Sequence, residues 1–183
     1  MKNKFRTLSL ALSVAVLPAL AVQADDELKT QSQQALTNFK NADSSLEKAI
    51  SDAAGFAIFP SVGKGGLIVG GAHGKGLVYE GTNLVGQATM TQASIGAQVG
   101  GQTFAQLILF GTPAALQDFK AGKFEMSAEV SAVAIKEGAS TAAKYKNGVE
   151  VFTLPKKGLM ASASVGGQKF KFEPLELAPT GRQ

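Results

Sequence analysis

Residues 25–54 repeat apolar side chains at helical spacing. At about 100° per residue, Leu28, Ala35, Leu36, Phe39, Leu46, Ile50 and Ala53 share one stripe about 100° wide, which predicts an amphipathic helix. Asp43 interrupts the stripe and predicts a break. Ser44 and Glu47 have the spacing of a capping box for a second helix starting near Leu46, and Gly55 is placed to end it.

The period changes from Phe56 onward. Runs of three to five apolar residues alternate with glycines, as in Gly63-Lys-Gly-Gly66, Gly70-Gly71 and Gly74-Lys-Gly76. A glycine inside a helix costs about 1 kcal/mol relative to alanine, so this density predicts bent β-strands with glycine at turns and bulges. The expected strands are 56–59, 66–71, 75–80, 84–91, 94–100 and 103–110, the last apolar on both faces and therefore central. Thr112 as cap, Pro113 in the first turn and Gly122 at the end predict a short helix near 113–121 with Leu116 and Phe119 inward. Residues 123–135 alternate, with Lys123, Glu125, Ser127 and Glu129 on the wet face. Asn147-Gly148 predicts a hairpin turn between 139–145 and 149–154, Pro155–Gly158 a further turn, and 159–165 with 168–173 a last hairpin. The tail from Pro174 is expected to be loose. The resulting fold class is α+β, mainly an antiparallel sheet of roughly eight to ten strands closing into a barrel-like or two-layer structure.

The N-terminus changes how charge is read. Lys2, Lys4 and Arg6 precede the apolar stretch Leu8–Ala21, and Val22-Gln23-Ala24 has the small residues that a signal peptidase reads. Residues 1–24 are therefore expected to be a cleaved leader, with cleavage before Asp25, and residues 25–183 a single periplasmic or secreted domain. The whole chain has 18 Lys+Arg, 14 Asp+Glu and a net charge of +4. Without the leader 15 bases face 14 acids, or +1, too small an excess to suggest nucleic-acid binding. There are no cysteines, so neither a disulfide nor a lipoprotein anchor is available.

Catalytic and metal chemistry find little support. His73 is the one histidine, expected in an exposed glycine turn, and no Gly-x-Ser-x-Gly motif accompanies it. One histidine and no cysteine supply too few ligands for a transition-metal site. Gly74-Lys75 is followed by Gly76 rather than Ser or Thr, which removes a phosphate loop, and Ile68 stands where a dinucleotide fingerprint needs glycine. No enzyme activity and no cofactor are expected.

The remaining constellation is cationic. Lys29 and Lys40 project together from one edge of the helical stripe. Lys64 and Lys75 flank glycine-rich segments, Lys156 and Lys157 sit near a turn, and Lys169 and Lys171 alternate with Phe170 and Phe172. Lysines beside exposed backbone N–H groups suit anionic head groups, and an amphipathic helix suits a membrane surface. The same lysines can equally protect strand edges, and the same helix can pack on the sheet with lysine stems at its margin.

Several segments together resemble the SYLF domain: Ala54-Gly-Phe-Ala-Ile-Phe-Pro60-Ser-Val-Gly-Lys-Gly-Gly66-Leu-Ile-Val-Gly-Gly71, Gly74-Lys-Gly-Leu-Val78, Ser94-Ile-Gly-Ala-Gln-Val-Gly-Gly-Gln102 and the region Phe119–Lys136. The resemblance covers about residues 40–173. Lys157-Gly-Leu-Met160 and Gly166-Gly-Gln-Lys-Phe170 look like the bacterial exported branch. It implies lipid association, which eukaryotic relatives achieve partly through an amphipathic helix at the start of the domain; some bind actin. The tryptophan-serine pair of those relatives is missing, since the region reads Asn83-Leu-Val-Gly86-Gln and the chain has no tryptophan. Actin and phosphoinositide selectivity are therefore not expected to carry over. The expected function is non-enzymatic binding of anionic phospholipid through Lys29, Lys40, Lys64, Lys75, Lys156 and Lys157. The alternative is an envelope scaffold or protein-interaction domain without a lipid ligand.

Overall fold

The computed structural model describes residues 18–65, 69–95, 102–124, 126, 132–157 and 167–175; of Lys64 and Lys157 only the backbone is included. The leader's basic start, residues 66–68 and 96–100 of the expected strands, the Glu125 and Glu129 positions, the hairpin arm 159–165 and the tail beyond 175 lie outside the described residues.

Two helices open the chain, α1 (Pro18–Ala42) and α2 (Leu46–Asp52). Four long strands follow: β1 (Gly55–Gly65), β2 (Val69–Glu80), β3 (Asn83–Ile95) and β4 (Gln102–Phe110). Then come α3 (Pro113–Lys120), β5 (Val133–Ala134), the one-turn α4 (Ala139–Ala142), β6 (Val149–Lys157) and β7 (Gln168–Pro174). The strands form one seven-stranded sheet in the order β5-β6-β4-β1-β2-β3-β7, antiparallel except for the β5–β6 pair.

The fold is α+β, as expected, but among the described residues the strands are fewer and longer than the glycines suggest. Segments 66–71 and 75–80 belong to the single strand β2, and β1 continues through Pro60-Ser61 by a bulge. Some strand glycines lie where neighbouring atoms leave no room for a side chain, whereas Gly63 faces open space. A Cβ on Gly76 would lie 2.7 Å from Cδ1 of Phe59, and one on Gly86 would strike the Phe172 ring.

That crowding reflects sharp curvature. β7 is three strands from β1 in the sheet, a flat-sheet separation of roughly 14 Å. Yet the Phe59 and Phe170 ring centroids are 5.8 Å apart. Gln106 of β4 and Gln168 of β7 are four strands apart, but their buried amides exchange two hydrogen bonds at 2.8 and 3.0 Å. The sheet curls so that β7 faces β1 and β4 across a concave interior. It remains open among the described residues: β5 and β7 are separate edges, and barrel closure is not observed.

The concave side holds one core. Phe59, Val62, Met90, Phe104, Ile108 and Phe110 line it, and α3 covers it with Leu116 and Phe119. Phe119 lies 5.0 Å from Phe170, 4.9 Å from Phe110 and 6.0 Å from Phe124. Helix α3 forms where its local signals predict: Thr112 Oγ1 accepts the Ala115 N–H at 3.2 Å, and Gly122 has φ 68°.

The convex side holds the second core. Phe56, Ile58, Leu77, Leu107, Leu109 and Phe152 meet Ala35 and Phe39 of α1 and Leu46 of α2. The break at Asp43 is present, but by a different device from the expected capping box. Ser44 Oγ donates to Glu137, while the fully buried Asp43 carboxylate accepts the Ser45 N–H at 3.0 Å and the Ser140 N–H at 2.7 Å. That second bond nucleates α4 from a distant element, so 139–142 is helical where a hairpin arm is expected. The turn itself is correct: Asn147 and Gly148 have φ 51° and 76°, and Lys146 and Val149 exchange backbone hydrogen bonds. Pro155–Lys157 remain in β6, with a bulge opposite β4 absorbing the proline in place of a turn.

Candidate anion-binding face

Among the described residues, helices α1 and α2 leave part of the convex surface uncovered. Strands β2, β3 and β7 turn alternate side chains outward there: His73 and Lys75, Thr89 and Thr91, Lys169 and Lys171. Their register aligns them in two rows. Ser61, Lys75, Thr89 and Lys171 stand opposite one another across four strands, and Gly63, His73, Thr91 and Lys169 form the next row. With strands about 4.8 Å apart, Lys75 and Lys171 are roughly 10 Å apart across Thr89, while Lys169 and Lys171 are about 7 Å apart along β7. The result is a basic rectangle with two threonine hydroxyls in its middle.

Glu173 borders this face. Its carboxylate pairs with Lys171 Nζ at 2.7 Å. The hydrogen bond and charge of that pair raise the Lys171 ammonium and lower the Glu173 carboxyl, and Lys75 adds a smaller lowering influence on Glu173. Both partners are exposed, so the pair orients Lys171 more than it stabilises the fold.

Of the six sequence-derived lysines, the four with described side chains do not converge. Lys75 lies on the rectangle. Lys29 is exposed on α1 and pairs with Asp26 at 3.4 Å. Lys40 is at the other end of α1, roughly 16 Å along the axis, and pairs with Glu47 at 3.2 Å. Lys156 Nζ donates to the Pro60 carbonyl at 3.0 Å, covering the β1 bulge. Lys64 sits opposite Ala72 and Gln102, and Lys157 opposite Thr103; their side chains lie outside the described residues. His73 is exposed within β2 rather than in a turn, because the glycines around it continue the strand.

The helical stripe is also occupied. Ser32, Ala35 and Phe39 are buried against the sheet, and Leu28, Leu36 and Ala42 are partly covered. Among the described side chains of α1, none of the stripe is left as an apolar face to insert into a membrane. Among the described residues no helix is long and apolar enough to cross one.

Two depressions adjoin the helices. A cleft of about 240 Å³ between α1 and the β1 bulge is lined by Glu27, Gln31, Ser61 and Lys75, and so opens onto the rectangle. A groove of about 500 Å³ lies between α1, α2 and the β2–β3 turn, with Leu36, Ile50, Phe56 and Tyr79 in it and Lys40 and Glu47 at its edge. The Phe56 and Tyr79 rings stack at 4.6 Å, and burial pushes the Tyr79 phenol up.

Lys169 and Lys171 are evident in the sequence as an alternating basic pair, yet nothing local joins them to Lys75. The link is β3, which pairs with β2 on one side and β7 on the other.

Comparison with known proteins bears on most of the chain. Residues 91–174 match the family described as "Ysc84: Las17-binding protein actin regulator", a span that includes Thr91, Lys169 and Lys171. "Beta cell expansion factor A" of Aeromonas veronii is 31% identical over 166 residues, covering 90% of this chain and 63% of that protein. The chain thus spans less than two thirds of this relative. Together with the glycine-run resemblance, these matches make the chain similar to the Ysc84 (SYLF) family over residues 91–174 and to this bacterial relative over most of its length.

Proposed function

We propose that the protein is a non-enzymatic module of the bacterial cell envelope, exported by cleavage before Asp25, that docks on surfaces rich in anionic phospholipid. The supporting observation is the β2–β3–β7 face, left uncovered by α1 and α2 among the described residues, with Lys75, Lys169, Lys171 and His73 around Thr89 and Thr91. Each lysine near an anionic bilayer contributes about 1 kcal/mol, so three of them supply a binding constant on the order of a hundredfold above background. Docking proceeds through strands, with α1 remaining on the sheet. Actin is not proposed as a partner.

The test is co-sedimentation of the mature protein with phosphatidylglycerol-rich and with purely phosphatidylcholine vesicles, at low and high salt. Binding is expected only to the anionic vesicles and is expected to weaken with salt. Lys75→Glu/Lys171→Glu should abolish it, while Lys29→Glu/Lys40→Glu should retain most of it. The reverse ranking would return the site to α1. Indifference to vesicle charge would favour the alternative of a protein-docking scaffold, for which the Phe56–Tyr79 groove is the natural surface.

A further inference from the structure

The polar groups of the basic face repeat. Lys75 of β2, Thr89 of β3 and Lys171 of β7 stand opposite one another in one row, and His73, Thr91 and Lys169 do so in the next. Each row offers a hydroxyl between two nitrogen donors. Five of the six residues are exposed, and Thr89 is half-covered. Among the described residues the rows stop at two. On one side the next row brings Gln87 and the acid Glu173; on the other it brings Gly71 and Ala93.

The threonines set the spacing. Lysine ammonium groups swing on long stems, but a threonine hydroxyl sits directly on Cβ and its branched side chain has few rotamers. Positions two apart on a strand are about 7 Å apart, so Thr89 and Thr91 present their hydroxyls on one face at about that separation. Gly63, at the β1 end of the second row, faces open space and puts no side chain in the way of a head group. A phosphate accepts hydrogen bonds from a hydroxyl and from charged nitrogens together. Each row therefore suits one phosphate, and the pair suits two phosphates about 7 Å apart. Where anionic lipids are dilute, gathering two separate head groups costs entropy. A lipid that carries both phosphates on one short bridge delivers the second at high effective concentration.

We propose that the two rows form a paired phosphate site, and that the face prefers a lipid with two phosphates joined by a glycerol bridge, of the cardiolipin type, over the same charge spread on separate head groups. This head-group preference rests on the anionic-surface reading above. The test is co-sedimentation of the mature protein with phosphatidylcholine vesicles containing either phosphatidylglycerol or half as much cardiolipin, so that the phosphate charge is equal. Wild type is expected to bind the cardiolipin vesicles roughly tenfold more tightly. His73→Ser/Lys169→Ser removes the donors of the second row and should bind the two vesicles alike, while still preferring either to pure phosphatidylcholine. Thr91→Val keeps the branched shape and should lose several-fold of the cardiolipin preference with an unchanged melting temperature. Equal binding of the two vesicles by wild type, a preference that survives loss of the second row, or a full preference in Thr91→Val would each overturn the proposal. Binding of wild type to neither vesicle would remove the anionic-surface reading itself, and this preference with it, so the two failures give different results.

Discussion

The buried amide pair between β4 and β7 offers a direct test of the curled sheet. Gln106 and Gln168 are both fully buried and bond only because the sheet brings non-adjacent strands face to face. Gln106→Leu conserves volume but leaves the Gln168 Nε2 donor and Oε1 acceptor without these partners. Each stranded group costs about 1–3 kcal/mol, so the single variant should lose about 2–6 kcal/mol. For a domain of this size that is a melting shift of roughly 4–24 °C. Gln168→Leu should behave alike. The double variant replaces both amides with apolar groups and should recover most of the loss, giving a coupling of about 3 kcal/mol or more in a double-mutant cycle. Urea unfolding followed by circular dichroism measures all four corners. Simple additivity within about 0.5 kcal/mol would mean that the two residues do not meet, and the curvature inferred from them would be wrong.

The other predictions concern the helices and the chain start. Ser32 is buried with no partner for its hydroxyl, so Ser32→Ala should stabilise the protein by about 1 kcal/mol; a lower urea midpoint would contradict the packing of α1. Burial alone would raise the Asp43 carboxyl, but hydrogen bonds from Ser45 and Ser140 more than reverse this and hold it far below the usual carboxylate range. Its contribution is therefore complete above the unfolded-state carboxyl range and should fade as pH falls below about 4. Asp43→Ala should cost about 2–3 kcal/mol at neutral pH and narrow its gap to wild type at pH 2.5–3 (about one unit into that window); a constant gap would refute the assignment. Intact-mass measurement of the exported protein should show Asp25 as the first residue, and retention of residues 1–24 would remove the envelope reading.

Local chemistry was legible; long-range geometry was not. Thr112, Pro113 and Gly122 specify α3 within ten residues, and Asn147-Gly148 specifies its turn, because each signal acts on the backbone it belongs to. The glycines of β2 misled because their reason lies in other strands. Gly76 accommodates Phe59 from β1, and only the folded sheet reveals that it is a strand residue instead of a turn. Helix 139–142 escaped notice because its N-terminal N–H is held by Asp43, almost a hundred positions away. The amphipathic stripe correctly marked α1, but amphipathicity does not say whether the apolar side meets lipid or sheet. The basic face was half visible: Lys75, Lys169 and Lys171 stood out as lysines, and the topology that gathers them did not.

The meeting of Phe59 with Phe170 has a consequence for biogenesis. These residues are roughly 110 positions apart, and the concave core has no lid on that side until the last strand arrives. Closing so long a loop is slow, and a truncated chain emerging from the ribosome has nothing to close it with. The concave core therefore stays unfinished until β7 has been made. Under the export proposed above, that delay would favour passage of an unfolded chain through a narrow translocation channel.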